Sequence, residues 1–165
     1  MPPWSQPIEV QRLAEARADI DFDIPLAELA GLKSVHGGIT GSVSGRVHFA
    51  PRHELAVAEL TLDGRATLQC QRCMQPLQLP LSSHVQLALL ASEEQAQKVP
   101  QDLEPVLAAG GRISLGELIT EELLLSLPIV PLHEGAAGCS SAPEPAGRQD
   151  ETHKPFARLA EMLKR

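Results

Sequence analysis

The sequence predicts an α+β fold: an antiparallel β meander of about four to six strands with a few packed helices and a C-terminal helix after a flexible linker. Three observations point there. From Gly45 to Leu90, apolar residues alternate in runs broken by turn residues such as Asp63 and Gly64. Ser114 with Glu117 three residues on has the form of a capping box ahead of Leu118, Ile119, Leu123 and Leu127. After a stretch rich in Gly, Ala, Ser and Pro, the residues Phe156, Leu159, Ala160 and Leu163 return at helical spacing. The expected division is a single α+β domain over 1–134, a linker over 135–153 and an amphipathic helix over 154–165.

Taken in order, Pro7 suits the first turn of a short helix whose stripe is Val10, Leu13, Ala14 and Ala18. Asp19 to Ile24 alternates acid with apolar residue, which predicts a half-buried strand with Ile20, Phe22 and Ile24 inward. Pro25 to Ala30 reads as a short helix stopped by Gly31, and Gly37, Gly38, Gly41 and Gly45 read as turns. Strands are expected at 46–49, 55–62, 65–69 and 77–90, with a hairpin at Asp63-Gly64. Pro76 and Pro80 lack ladder donors, so that last strand should begin at an edge or carry a bulge. Residues 92–99 read as an exposed short helix, 100–111 as loop, and Pro128 as the stop of the capped helix.

Composition narrows the function classes. Aromatic residues make up only 2% of the chain, so the core must be aliphatic. A formal charge of −7 leaves no basic excess for neutralising a nucleic-acid backbone. Glu93 to Glu122 holds seven acids against Lys98 and Arg112, whereas Lys154, Arg158, Lys164 and Arg165 make the end basic. No apolar run reaches bilayer length, and the N-terminus lacks the pattern of a signal peptide, so a cytoplasmic protein without a membrane partner is expected. An odd three cysteines also fit a reducing compartment.

Two of those cysteines, Cys70 and Cys73, sit where one predicted strand hands over to the next. Such a pair can serve a metal, thiol exchange or a packed corner. Thiol exchange needs the first sulfur at a helix N-terminus, and here Pro76 returns the chain to strand. Zinc needs four ligands, for which His133 and Cys139 are available after the capped helix. Closing the intervening loop of about 60 residues costs on the order of 3 to 4 kcal/mol, against about 10 to 16 from structural zinc. The alternative is that the cysteines are small buried residues at a strand corner. Gly41 to Gly45 places Val43 where a nucleophile elbow needs serine, and the glycines lack the Lys-Ser/Thr ending of a phosphate loop. Glu121 and Glu122 read as solvent-facing carboxylates of an amphipathic helix. Asp19, Asp21 and Asp23 are the acids available to a metal-dependent nuclease, although a solvated strand face accounts for them too.

The run Leu68, Gln69, Cys70, Gln71, Arg72, Cys73, Met74, Gln75, Pro76 closely resembles the Cys-x-Arg-Cys-x-x-Pro signature of the YceD family, the bacterial and plastid large ribosomal RNA subunit accumulation proteins. Glu104-Pro105, the stretch from Glu121 to Pro128, Val130 to His133, Cys139, and Lys154 to Ala160 with Leu163, Lys164 and Arg165 follow in similar order. The resemblance covers the C-terminal two thirds well and the first third loosely. It implies a non-enzymatic factor for 23S ribosomal RNA synthesis, processing or accumulation during 50S assembly. The partner expected is large-subunit rRNA or a pre-50S particle, reached with a basic ribosomal protein or another assembly factor. Many members carry further cysteines that complete a zinc site with the first pair; here His133 and Cys139 stand near those positions, making Cys70, Cys73, His133 and Cys139 the metal candidates. Arg72, Arg65, Arg46, Lys154 and Arg158 are the candidates for RNA or partner contact. Two other readings remain, a zinc-stabilised protein interaction module and a nuclease acting on precursor rRNA.

Overall fold

The structure is a computed structural model that describes residues 3–35, 38–135 and 139. Its centre is a five-stranded sheet in the order β2 (Asp19–Pro25), β3 (Thr40–Arg52), β4 (Leu55–Gln69), β5 (Pro76–Leu90) and β6 (Glu104–Leu107). The first four strands form an antiparallel meander, and β6 joins β5 in parallel. Among the described residues a smaller antiparallel pair, β1 (Pro7–Glu9) with β7 (Arg112–Ser114), the α-helices α1 (Val10–Glu15), α2 (Ala30–Val35) and α3 (Leu115–Ser126), and short 3-10 turns make up the rest of the α+β fold.

Alternation decides which face is buried. Phe22 and Ile24 of β2, Val43, Val47 and Phe49 of β3, Leu60 and Leu62 of β4, and Leu81, Leu87 and Leu89 of β5 point to one side. There they meet Val10, Ala14, Leu26, Leu32, Leu118, Ile119 and Leu123 in one core. The opposite face is mainly polar, with Asp21 pairing Arg46 at 2.6 Å and Glu59 accepting from or sharing a proton with His84 at 2.8 Å. At one end of that face a second cluster of Leu55, Val57, Ala88, Leu90 and Leu103 is buried.

The capping box forms as expected: the Glu117 amide donates to Ser114 Oγ at 3.1 Å, and the Ser114 amide donates to Glu117 Oε2 at 2.8 Å. The alternating aspartate strand is also found, with its acids outward. Helix α1 ends in a Schellman motif, with Arg17 in the left-handed conformation (φ 49°), Ala18 donating to Leu13 O and Arg17 donating to Ala14 O.

Several expectations are corrected. Asp63-Gly64 is no hairpin: both residues lie inside β4, opposite Ser44 and Val43, and the expected strands 55–62 and 65–69 are one. The real β3–β4 hairpin is His53-Glu54, whose φ values of 50° and 61° fit a type I′ turn without glycine. Gly41 and Gly45 likewise sit within β3, where the sheet coils so tightly that a Cβ would lie 2.0 Å from the Arg65 and Thr61 carbonyl oxygens respectively. Gly31 does not stop a helix; it lies inside α2, and a Cβ there would meet Thr120 Cγ2 of α3 at 2.6 Å. Pro7 belongs to β1 rather than to the first turn of α1. The expected loop 100–111 contains β6, an ordinary hydrogen-bonded strand beside Leu87–Leu90. Glu122 is buried, because Ser83 on the core face of β5 donates its hydroxyl hydrogen to Glu122 Oε1, giving the carboxylate an internal partner.

Pro76 opens β5 and Pro80 lies where β6 does not reach, so both avoid the ladder on that side. Most of the expected linker and all of the expected helix 154–165, with Lys154 and Arg158, lie outside the described residues. Among the described residues, no helix is long and apolar enough to cross a membrane.

Candidate metal centre

The β4–β5 connection is built to present two sulfurs. The Met74 amide donates to Cys70 O and the Cys70 amide to Gln75 O, both at 2.9 Å, and Met74 adopts a left-handed φ of 60° to turn the chain back. The Gln69 side-chain amide braces the turn by donating to Met74 O at 3.1 Å. One turn of chain with Cys70 and Cys73 at its ends results, Cys70 buried and Cys73 half-buried.

The second half arrives after α3, which ends as the Leu127 amide donates to Leu123 O. The chain then runs beside the cysteine turn, held where the Gln71 amide donates to Pro131 O at 2.9 Å. His133 Nε2 donates to Pro76 O at 3.1 Å. That bond assigns the ring hydrogen to Nε2 and leaves Nδ1 as the free lone pair, the usual way a backbone carbonyl prepares a histidine ligand.

The donor atoms of Cys70, Cys73, His133 and Cys139 all lie within 4.8 Å of one another. Cys70 Sγ and Cys139 Sγ are 3.7 Å apart, His133 Nδ1 is 3.4 Å from Cys73 Sγ, and Nδ1 is 3.7 Å from Cys139 Sγ. A tetrahedron with zinc–sulfur bonds of about 2.3 Å and zinc–nitrogen bonds of about 2.0 Å has edges of about 3.5 to 3.8 Å. The donors suit the group: three thiols and one imidazole, with the three separations just given close to such edges and all four atoms gathered within 4.8 Å. The set is closed, since all four positions come from protein.

Charge in this cluster is unevenly shared. Burial opposes ionisation of Cys70, but the backbone N–H groups of Cys73, His133 and Arg72 aimed at its sulfur, with the Cys73 thiol, bring its pKa down to about 5. Burial likewise opposes ionisation of Cys139, and the Arg72 guanidinium and His133 outweigh it and lower its pKa. Cys73 is favoured as thiolate by the Gln75 backbone, but its burial and the two neighbouring sulfurs win and raise it. The hydrogen bond to Cys139 is the largest influence raising His133.

Without metal, the protein should therefore hold thiolate at neutral pH, with a component of its absorbance near 240 nm titrating around pH 5 and missing from Cys70→Ser. A titration resembling free cysteine, near 9.0, would contradict this. The linkage sign follows: a depressed folded-state pKa makes the Cys70 contribution to stability present above 9.0 and lost as pH falls through about 5. His133 acts oppositely, contributing below 6.5 and losing its effect as pH rises through its raised value.

The other predicted contact residues are placed differently. Arg46 and Arg65 share the outer sheet face and are exposed, Arg46 with its guanidinium on Asp21. That pairing lowers Asp21 and raises Arg46. Arg72 is exposed on the cysteine turn, and its Nε–H donates to Cys139 Sγ at 3.0 Å. Asp19, Asp21 and Asp23 line one strand face, Asp19 beside His48 Nδ1 at 3.0 Å; among the described residues they are not part of a converging ligand set. Sequence reading missed the carbonyls of Pro76, Pro131 and Gly135, which any residue could supply and no side-chain signal marks.

A known family resembles this chain over the part that carries the cluster. The family model described as "Large ribosomal RNA subunit accumulation protein YceD" matches residues 58–163, a span holding all four candidate ligands. A protein named Large ribosomal RNA subunit accumulation protein YceD from Haemophilus influenzae is 36% identical over 67 residues, 40% of this chain and 38% of that relative. No solved structure matches. With more than half of its length matched by the family model, the chain belongs to the YceD family.

Proposed function

We propose that this protein is a non-catalytic factor supporting accumulation of large-subunit (23S) ribosomal RNA during 50S assembly, with a structural zinc ion held by Cys70, Cys73, His133 and Cys139. Membership of the family carried by residues 58–163 is the observation behind the ribosomal part. The closed donor set supports the metal part, since a catalytic zinc keeps a position open for water or substrate. Bound there, zinc would supply a cross-link between the β4–β5 turn and the segment after α3. A reducing cytoplasm suits three free thiols.

The outer sheet face favours indirect action on RNA. Arg46 and Arg65 stand there among Asp19, Asp21, Asp23, Glu59 and Asp63, so phosphate contact by this face alone would meet repulsion. A basic ribosomal protein or another assembly factor satisfies the acids, while Arg65, Arg46 and the tail residues Lys154 and Arg158 engage the particle. The protein should co-sediment with large-subunit precursor particles, and an Arg46→Glu/Arg65→Glu variant should do so several-fold less while precursor rRNA accumulates in its cells. Tight binding of purified protein to isolated rRNA fragments at physiological salt would overturn the indirect route. Zinc without any particle association would favour the interaction module instead.

A further inference from the structure

Three of the four candidate ligands are held by the framework around them. Cys70 and Cys73 are fixed by the hydrogen bonds of their own turn, and His133 by Pro76 O and by the neighbouring Gln71–Pro131 bond. Cys139 comes from a stretch of Gly, Ala and Ser, and the hydrogen bonds described for its sulfur go to Cys70, His133 and Arg72. Arg72 is the member of that group that also grips the incoming backbone. Besides Nε–H to Cys139 Sγ, its Nη2 donates to His133 O at 3.2 Å and to Gly135 O at 2.6 Å. Gly135 has a positive φ of 69° in a turn.

We propose that Arg72 is a positioning residue for the metal: its guanidinium fork clasps the backbone at His133 and Gly135 and delivers Cys139 as the fourth ligand. The inference rests on the zinc reading above and extends it. Geometry argues for arginine rather than for any cation. Three acceptors, a sulfur and two carbonyls, are met by the edge of one planar group, which a lysine ammonium cannot span with the same rigidity. Charge argues the same way: three thiolates around a divalent ion leave one negative charge, and the guanidinium at 3.0 Å from one sulfur balances it. An arginine between two cysteines that looks like a free phosphate contact in sequence thus has its donors directed to the other half of its own site.

The test uses the full chain loaded with zinc, as wild type, Arg72→Gln and Arg72→Lys, in competition with a chromophoric chelator, while iodoacetamide labelling of each cysteine is followed by peptide mass. Both variants should hold zinc about 10- to 100-fold more weakly, the range for loss of an outer hydrogen bond to a ligand. Cys139 should be labelled first while Cys70 and Cys73 remain protected, and Arg72→Lys should recover little. A general loss of structure would expose all three sulfurs together and would count against the proposal. Zinc in the wild type with unchanged affinity and a protected Cys139 in both variants would overturn this inference alone. Absence of zinc from the wild type would overturn the metal reading and this inference with it.

Discussion

Purified under reducing conditions, the protein should carry one zinc ion per chain, and Cys70→Ser/Cys73→Ser should carry none. The basis is preassembly: four donors already lie within 4.8 Å of one another, three of their separations close to tetrahedral edges, so binding requires little rearrangement. The stabilisation follows mass action, about 2.7 kcal/mol at a free metal concentration 100 times Kd and about 4.1 at 1,000 times. Its location is as testable as its size. The sheet has its own core, independent of the cluster, so chelation should leave far-UV circular dichroism nearly unchanged. Exchange of the Gln71 amide, which donates to Pro131 O, should accelerate sharply, because that bond joins the two halves the metal ties together. Elemental analysis showing no metal in wild type, or a chelator that unfolds the whole sheet, would refute this picture.

Gly45→Val should destabilise the sheet strongly, by about 3 kcal/mol by denaturant midpoint. A Cβ at Gly45 would lie 2.0 Å from Thr61 O and 2.9 Å from both Leu62 Cα and Phe22 Cζ. Two of those three atoms are backbone of the paired strand and cannot swing aside as a side chain does. Gly110→Ala provides the control: nothing lies within 4 Å of its Cβ position, so only its φ of 63° is strained, at a cost of about 1 to 2 kcal/mol. Equal losses at the two sites would mean that crowding in the sheet is not what requires glycine.

These glycines also show where the sequence stops being legible. Asp63-Gly64 and a hairpin turn look alike over two residues; what separates them is the carbonyl of Ser42, 2.3 Å from where a Gly64 Cβ would be, and Ser42 lies more than twenty positions away. The real turn, His53-Glu54, lacks glycine and so lacks the signal. Strand β6 is four residues long and hidden between Pro100 and Gly111, its pairing dictated by β5 rather than by its own pattern. By contrast the α3 cap and the aspartate strand were readable because period and capping chemistry are local. The four candidate ligands were readable because few residue types offer sulfur or imidazole. Arg72 was visible as a cation, but the direction of its donors depends on a segment some sixty residues on.

The family match begins at residue 58, inside β4, while β2 and β3 lie before it. Those two strands contribute Phe22, Ile24, Val43, Val47 and Phe49 to the core, and β3 pairs with β4 from Leu55 to Thr67. A fragment cut at the sequence-defined boundary would start mid-strand and strip β4 of its neighbour, leaving a raw row of amides and carbonyls beside uncovered Leu60 and Leu62. Such a fragment would pair with copies of itself before it could serve as a miniature of the whole. The boundary drawn by similarity is thus not a boundary of the sheet, whose strands β2 and β3 lie wholly before it.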